Sequence, residues 1–276
     1  PGTATITAKQ AGDGNYNAAT DAERSLTISP KTLTIANAGV TPKPYDGTAT
    51  ATITGTLSEV VVGDDVTLAV SGTFADANVG TNKEVTSTSS LGGAKASSYT
   101  LTQPTALKGT ITKAVVTVTA ASANKTFGES DPALTYTAIP SALIAGNSFN
   151  GALSRATGED AGTYAISQGA VTAGDNYAIT FVSANFTINK KDQAITLPEI
   201  GAKTYGDAAF SLNATTDSNL TLSYSSSDTI VATVTPAGVI TIMSNGTATI
   251  TASQAGNGNY NAATSATANL TVGKKA

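Results

Sequence analysis

Short runs in which apolar and polar residues alternate dominate the pattern along this chain. Lys31-Thr-Leu-Thr-Ile35, Val239-Ile-Thr-Ile-Met243 and Thr247-Ala-Thr-Ile-Thr251 are clear examples. Alternation with a period of two puts the apolar side chains on one face of a strand, and turn signals recur about every 8–12 residues. No stretch sustains helical periodicity. The pattern predicts an all-β chain of antiparallel β-sandwiches.

A long internal repeat organises the chain. Gly2–Thr20 recurs almost unchanged as Gly246–Thr264, 244 residues further along, with differences only at positions 9/253 and 13/257. Repeats of this kind indicate arrays of the same structural unit. We therefore expect a longer parent protein that repeats a multi-domain cassette, of which this chain holds the end of one copy and the whole of the next.

Three segments share a plan: an opening strand, a turn of an aromatic residue with a glycine and an acid, and a closing strand. The turns consist of Tyr45, Asp46 and Gly47, of Phe127, Gly128 and Glu129, and of Tyr205, Gly206 and Asp207. The plan predicts a first domain at 30–113, a middle domain at 114–190 and a last domain at 191–276. An N-terminal segment, 1–29, is expected to be the C-terminal part of another domain. Linkers of one or two residues predict domains arranged end to end as a rod.

Two further turns have recognisable signatures. Asp160-Ala-Gly-Thr-Tyr164 predicts a tyrosine corner, in which the Tyr164 hydroxyl bonds to the backbone near Asp160 where the chain passes between sheets. Asp76–Gly80 has the same pattern without the tyrosine. Asn245-Gly246 lies between two alternating runs, and this dipeptide favours a tight hairpin turn.

The composition excludes several function classes. Charged residues make up 12% of the chain and the net charge is -4, whereas nucleic-acid binding requires clustered Lys and Arg. The chain contains no His and no Cys, which removes the commonest general base, thiol nucleophiles, disulfides and most zinc ligands. No apolar run approaches the ~18–20 residues of a membrane span. We therefore expect no enzymatic activity, no cofactor, no nucleic-acid partner and no membrane insertion of this segment.

Candidate sites have competing structural interpretations. The aromatic turns could bind a ligand, but a ring that closes one end of a sandwich explains them better. Gly12–Tyr16 and Gly256–Tyr260 could form Ca²⁺ loops, yet Asp13 in one copy is Asn257 in the other, so a Gly/Asn-rich turn is favoured. Ca²⁺ at a domain junction stays open, as does a buried Lys–Asn crosslink. Ser154 with Arg155 lacks the loops that a nucleophile requires.

Specific motifs also resemble known families. Ser225–Val234, Ala237–Ile242 and Gly246–Ala252 resemble the bacterial Ig-like group two family. The first domain is similar to the YDG family through Tyr45-Asp46-Gly47, and the middle domain to the MBG family through Phe127–Leu134. These families form tandem arrays in large surface and secreted proteins, including Bacteroidetes adhesins. Asp228-Thr229-Ile230 resembles a Bacteroidetes O-glycosylation motif, which implies modification of Thr229.

The resemblance implies a spacer or stalk in a large bacterial surface adhesin or filament, outside the cell, that projects a distal binding region and bears load. Its partners would be further copies of the same cassette, and its distal ligand is not encoded here. Two alternatives stay open. One is a binding module for glycan or a partner protein, for which Tyr224 and Phe149 are the aromatics without a repeated position. The other is a fibre subunit that self-associates by strand complementation.

Overall fold

The computed structural model describes residues 1–144 and 146–276, and almost every regular element in it is a strand. The chain forms two compact units. The first comprises Pro1–Thr117, Ala138–Asn150 and Thr172–Thr180, and the second comprises Val118–Thr137, Gly151–Val171 and Phe181–Ala276. This division passes through the predicted middle domain, so the predicted domain boundaries stay a prediction. No helix in the described residues is long and apolar enough to cross a membrane.

The strands are short. Those up to residue 113 are β1 Gly2–Ala8, β2 Ala22–Ile28, β3 Lys31–Val40, β4 Lys43–Pro44, β5 Thr50–Ala51, β6 Ile53–Leu57, β7 Thr67–Ala69, β8 Gly72–Phe74, β9 Gly80–Ser87, β10 Ser90–Gly92, β11 Tyr99–Thr102 and β12 Leu107–Thr112, with a 3₁₀ turn at Ala96–Ser98. From residue 114 they are β13 Ala114–Ala120, β14 Ala123–Thr126, β15 Tyr136–Ile139, β16 Ser154–Arg155, β17 Gly162–Ser167, β18 Tyr177–Val182 and β19 Ala184–Asn189. From residue 191 they are β20 Ile195–Thr196, β21 Lys203–Thr204, β22 Phe210–Ser211, β23 Thr215–Thr216, β24 Ser223–Ser226, β25 Ala232–Val234, β26 Val239–Ile242, β27 Gly246–Ser253 and β28 Ala266–Gly273.

In the first unit, β1 and β2 form an antiparallel hairpin, and strands β3 to β12 form a sandwich. One sheet has the order β4-β12-β9-β8-β5 and the other β11-β3-β6, beside a small β10-β7 pair. Leu33, Ile53, Phe74 and Ile111 are almost fully buried in the sandwich. The alternation of the sequence therefore matches the alternation of buried and exposed positions along these strands.

Strand β3 contains a bulge that bends it. The pairing with β6 shifts register between Ala36 and Gly39, and Asn37 has a φ of 52°. Across from it, Gly55 has a φ of 141°, and a Cβ there would lie 2.4 Å from the Ile35 side chain. A glycine is required because the bulged strand approaches its neighbour this closely.

In the second unit, the strands of the last domain form sheets with the orders β21-β28-β27-β24 and β22-β26-β25, beside a β20-β23 pair. Its core contains Ile240, Ile250 and Leu270, all fully buried. The four-stranded sheet β14-β19-β17-β16 also belongs to this unit and buries Ile166 and Phe186.

The hairpin predicted at Asn245-Gly246 is wrong. Strand β26 pairs with β22 and β25, whereas β27 pairs with β24 and β28, so the chain crosses from one sheet to the other at this point. Gly246 has a φ of 147°, but Asn245 is not among the residues with positive φ that a type I′ turn needs. Strands β26 and β27 therefore belong to different sheets. The local turn signal does not show which sheet a strand joins.

Most strand pairs are antiparallel, but β3 and β11 pair in parallel, and a second type of parallel pair recurs in three places. The short strand before each aromatic turn runs parallel to the closing strand, in the pairs β4–β12, β14–β19 and β21–β28. The strand before each aromatic turn is the second strand of its segment, after β3, β13 or β20. The chain therefore approaches the aromatic turn in the same direction in which the closing strand leaves the sandwich.

The internal repeat provides a matched pair for core stability. Ile6 and Ile250 lie in the identical heptapeptide Gly-Thr-Ala-Thr-Ile-Thr-Ala, but Ile6 is 59% exposed and Ile250 is fully buried. Ile250→Ala should destabilise the last domain by about 2–5 kcal/mol, because it removes methylene groups from a packed core. Ile6→Ala should change stability by less than about 0.5 kcal/mol. Urea unfolding followed by circular dichroism measures both, and equal effects would contradict the burial difference.

Candidate functional site

Each aromatic turn is tied to the closing strand of its own sandwich. In all three turns, the backbone N–H of the aromatic residue donates a hydrogen bond to a backbone carbonyl at the end of the closing strand. The pairs are Tyr45 to Thr112 at 2.8 Å, Phe127 to Asn189 at 2.9 Å and Tyr205 to Gly273 at 3.0 Å. The ring is therefore held beside the point where the chain leaves the sandwich. Tyr45 is buried and Phe127 half-buried, whereas Tyr205 is 49% exposed.

The acids and glycines shape these turns. Glu129 accepts a hydrogen bond from the Thr126 N–H at 2.9 Å, and Asp207 accepts one from the Thr204 N–H at 2.8 Å. The glycine that follows the aromatic residue has positive φ in both, 86° at Gly128 and 95° at Gly206.

The first turn uses its acid differently. Asp46 precedes Gly47, whose φ is 78°, and its carboxylate accepts hydrogen bonds from the Thr48 N–H and hydroxyl. Lys43 lies 2.8 Å from the same carboxylate. The hydrogen bond from Lys43, together with that from the Thr48 N–H, lowers the pKa of Asp46 to about 2. All three acids are thus engaged within their turns.

A loop containing Asn176 and Tyr177 contacts the first of these turns. The rings of Tyr45 and Tyr177 meet edge to face, with centroids 5.5 Å apart and an interplanar angle of 79°. The Asn176 side chain accepts a hydrogen bond from the Val79 N–H at 2.9 Å and donates one to the Asn78 side chain at 3.0 Å. One carboxamide thereby pairs with a donor and an acceptor at the start of β9.

The same arrangement recurs in the second unit. The rings of Phe127 and Tyr260 lie 5.5 Å apart at 70°. The Asn259 side chain accepts from the Ala161 N–H at 2.7 Å and donates to the Asp160 carboxylate at 2.8 Å. We call the Asn176–Tyr177 and Asn259–Tyr260 loops docking loops, and the aromatic turn with the adjacent start of β9 or β17 the receiving face.

The receiving face in the second unit is braced by four charged side chains. Lys125, which is buried, and Arg155, whose side chain is 9% exposed, each contact Asp131 and Glu159. The Arg155 guanidinium also lies 4.8 Å from the centroid of Phe186. Hydrogen bonds from Arg155 and then Lys125 lower the pKa of Asp131 to about 2, and the carboxylates of Asp131 and Glu159 raise that of Lys125.

This cluster bears on the crosslink that the sequence left open. It brings Lys125 within 2.6 Å of Asp131, with Glu159 in contact. That crosslink joins a lysine to an asparagine, whereas the contacts of Lys125 here are to the carboxylates of Asp131 and Glu159, and the pKa shifts of Lys125 and Asp131 favour their charged forms. The geometry therefore favours an ionic cluster.

The predicted corner lies at the receiving face. The Tyr164 hydroxyl donates to the Asp160 carbonyl oxygen at 2.8 Å. Gly158 has a φ of 143°, and a Cβ there would lie 2.3 Å from the Tyr164 ring. The corner holds Asp160 and Ala161 where Asn259 contacts them. In the first unit, where the tyrosine is missing, Lys83 contacts Asp76 at 2.7 Å.

The remaining candidates lie apart from the receiving faces. Thr229 is exposed in a turn, and its modification stays a prediction. Asp13 and Asn257 each accept hydrogen bonds from the two N–H groups that follow in their loops. Within residues 1–144 and 146–276, no three His, Cys, Asp or Glu residues are grouped as metal ligands would be.

Sequence reasoning missed the docking loops. The signal was present, because the dipeptide Asn-Tyr occurs at 15–16, 176–177 and 259–260. The sequence predicts Gly/Asn-rich turns at 12–16 and 256–260 and no feature at 176–177, since the residues that these dipeptides contact lie about 100 positions away, as Asn78 does from Asn176 and Asp160 from Asn259.

Replacing the Asn259 carboxamide with a carboxylate tests its two hydrogen bonds. Asn259→Asp puts a carboxylate against Asp160, and we expect the loop to detach, so that hydrogen exchange at the Ala161 N–H accelerates about tenfold, equivalent to about 1.4 kcal/mol. Adding Asp160→Asn should restore protection, because the new amide can donate to the new carboxylate. Asn176→Asp is the control. We expect that loop to stay attached, because the Asn78 amide can rotate and donate to the new carboxylate. Failure of the double variant to recover would contradict the carboxamide pairing.

The ionic cluster predicts acid sensitivity. Because the folded-state pKa of Asp131 is about 2, against an ordinary 3.8, its ion pairs stabilise the fold above about pH 4. That contribution disappears as the pH falls from about 4 towards 2. Asp131→Asn should lower the melting temperature at pH 7 and flatten its decline between pH 4 and 2. Asp21→Asn breaks an exposed pair with Lys9 and should leave the scan unchanged; an equal effect of both variants would contradict the argument.

Three family models match successive parts of the chain. Residues 29–106 match the YDG domain, residues 116–187 the MBG domain (YGX type), and residues 218–256 the immunoglobulin-like domain of intimin. The last match includes all three segments that resemble the group two family by sequence. No curated protein sequence matches the chain.

Solved structures that align with the chain are multi-domain proteins. Drosophila N-cadherin EC1-4 is 9% identical, with 99% of this chain and 83% of that chain covered and a TM-score of 0.31. Invasin, a bacterial integrin-binding protein, is 16% identical, with coverages of 98% and 65% and a TM-score of 0.24. Surface layer protein SbsC, domains 1–6, is 12% identical, with coverages of 99% and 45% and a TM-score of 0.26. Similarity at this level carries no argument about function.

The matched families describe adhesion-type and structural domains, not enzymes, and such domains are typical of extracellular or surface-exposed proteins. Their succession along one sequence agrees with the strands and sheets described above. The chain is a tandem array of immunoglobulin-like repeats of the adhesin type.

Proposed function

We propose that this chain is a load-bearing spacer in a bacterial surface adhesin or filament, placed outside the cell, with sandwiches divided at 113/114 and 190/191. The observation that carries the proposal is the parallel pairing of each aromatic-turn strand with the closing strand. In β14–β19, the pairs run from Ala123 with Phe186 to Thr126 with Asn189. Tension on the two ends of such a sandwich loads this pair in shear, so its hydrogen bonds must break together.

The connections between sandwiches also support a spacer. Strand β12 ends at Thr112 and β13 begins at Ala114, so a single residue separates them. In the second unit, the backbone of Lys191 exchanges hydrogen bonds with Asn259 and Asn261 of the docking loop region, both at 2.9 Å. Connections this short contain no flexible linker that would extend under low force.

The binding-module alternative has less support. Tyr224 is half-buried over Gly238, where a Cβ would lie 3.0 Å from the ring, and burial raises the pKa of Tyr224. Phe149 packs against the core of the first unit. Neither forms the exposed aromatic patch that glycan recognition uses. The exposed tyrosines are Tyr16 and Tyr205, which belong to the repeated loops and turns.

Single-molecule stretching of the full chain tests the proposal. We expect discrete unfolding events, one of which shifts to lower force in Tyr205→Pro, because proline removes the N–H that bonds the Gly273 carbonyl. Tyr205→Ala is the matched control, since it keeps that N–H and loses only an exposed ring, and it should leave the force unchanged. Smooth extension at low force without discrete events would contradict a load-bearing role.

A further inference from the structure

The loop at Asn15–Tyr16 is built like the docking loop at Asn259–Tyr260. In the first, Asp13 Oδ1 accepts from the Asn15 N–H at 2.8 Å and the Tyr16 N–H at 3.0 Å. In the second, Asn257 Oδ1 accepts from the N–H groups of Asn259 and Tyr260 at 2.8 and 2.9 Å. The Asp13 N–H donates to the Tyr16 carbonyl as the Asn257 N–H does to that of Tyr260, at 2.9 and 3.1 Å. The loop at Asn15–Tyr16 is therefore preorganised.

The two loops differ in what covers them. Tyr260 is half-buried against Phe127, and Asn259 is half-buried against Asp160 and Ala161. Tyr16 is 75% exposed and Asn15 is exposed. The Tyr16 ring and the Asn15 carboxamide are held in the loop conformation in which Tyr260 and Asn259 make their contacts, so they can make the same contacts to a face of the same kind.

We propose that the Asn15–Tyr16 loop docks on the receiving face of a sandwich of the same kind as residues 114–190. In that complex the Tyr16 ring meets the phenylalanine equivalent to Phe127 edge to face. The Asn15 carboxamide accepts from the Ala161 N–H and donates to the Asp160 carboxylate of that sandwich. These are the same kinds of contact that Asn259 and Tyr260 make to Ala161, Asp160 and Phe127.

A difference between the loops favours this partner further. In the occupied junction, Lys190 Nζ donates to the Asn257 carbonyl at 2.7 Å. The residue equivalent to Asn257 is Asp13, whose exposed carboxylate would come close to the same lysine. Docking of the Asn15–Tyr16 loop should therefore gain a charge interaction that weakens with salt.

The other two turns fit this loop less well. The Tyr45 face is covered by Asn176 and Tyr177. At the Tyr205 turn, the strand equivalent to β17 is β27, and the residue before it that corresponds to Asp160 is Ser244, which carries no charge. The face around Phe127 and Asp160 is thus the one that matches the loop. The inference does not rest on the load-bearing role, because it concerns recognition alone.

Nuclear magnetic resonance on the full chain tests the proposal. The labelled receptor carries Asn259→Ala and Tyr260→Ala, which uncover its Phe127 face, and Asn15→Ala with Tyr16→Ala, which remove its own loop. Unlabelled wild-type chain is added to about 1 mM, because a small interface of this kind is expected to have a dissociation constant of about that size. We expect the amide signals of Phe127 and Ala161 to shift with concentration, and the shifts to decrease with added salt.

Two controls define the result. Added chain with Asn15→Ala and Tyr16→Ala should cause no shift, and a receptor that keeps Asn259 and Tyr260 should not respond, because its face is occupied. A second receptor, in which Asn259→Asp replaces the two alanine substitutions there, keeps the Tyr260 ring if the first does not fold. Unchanged Phe127 and Ala161 signals in a folded receptor would overturn the proposal, as would shifts confined to Tyr205 and Asn245.

Discussion

The structure depends on one backbone contact, the parallel pairing between the strand before each aromatic turn and the closing strand of the same sandwich. Tyr45, Phe127 and Tyr205 all donate their N–H groups to closing-strand carbonyls. Because each pair is parallel, the chain runs in the same direction just before the aromatic turn and in the closing strand. The pairing also places an aromatic ring at the exit, where the next part of the chain begins.

In two of the three turns, the aromatic ring contacts a docking loop. Tyr177 and Tyr260 meet Tyr45 and Phe127 with nearly the same geometry. The asparagine that precedes each loop tyrosine then uses both ends of its carboxamide, which can accept and donate at once. A ring contact tolerates small shifts, whereas two hydrogen bonds in fixed directions do not. The ring contact therefore contributes apolar attraction to the junction, and the two hydrogen bonds fix the position of the loop.

The cluster around Arg155 has a comparable role inside one sandwich. It joins β16 to the loops that carry Asp131 and Glu159, and Arg155 also covers Phe186. The charges of Lys125 and Arg155, whose side chains are little exposed, are tolerated because each contacts both carboxylates, Asp131 and Glu159. The ionic contacts of Lys125 and Arg155 lie next to the receiving face around Asp160. Recognition and stability are supported by adjacent but separate groups of side chains.

Local sequence determined the strands, the aromatic turns and the repeat, because the alternation of Thr, Val and Ile expresses a period that belongs to the backbone itself. It could not decide which sheet a strand joins: Asn245-Gly246 favours a hairpin locally, and the chain crosses between sheets there. It also could not distinguish Ile6 from Ile250, or Tyr16 from Tyr260, since the heptapeptides are identical and the loops nearly so. Burial and docking depend on residues remote in sequence, and only the tertiary structure brings those residues together.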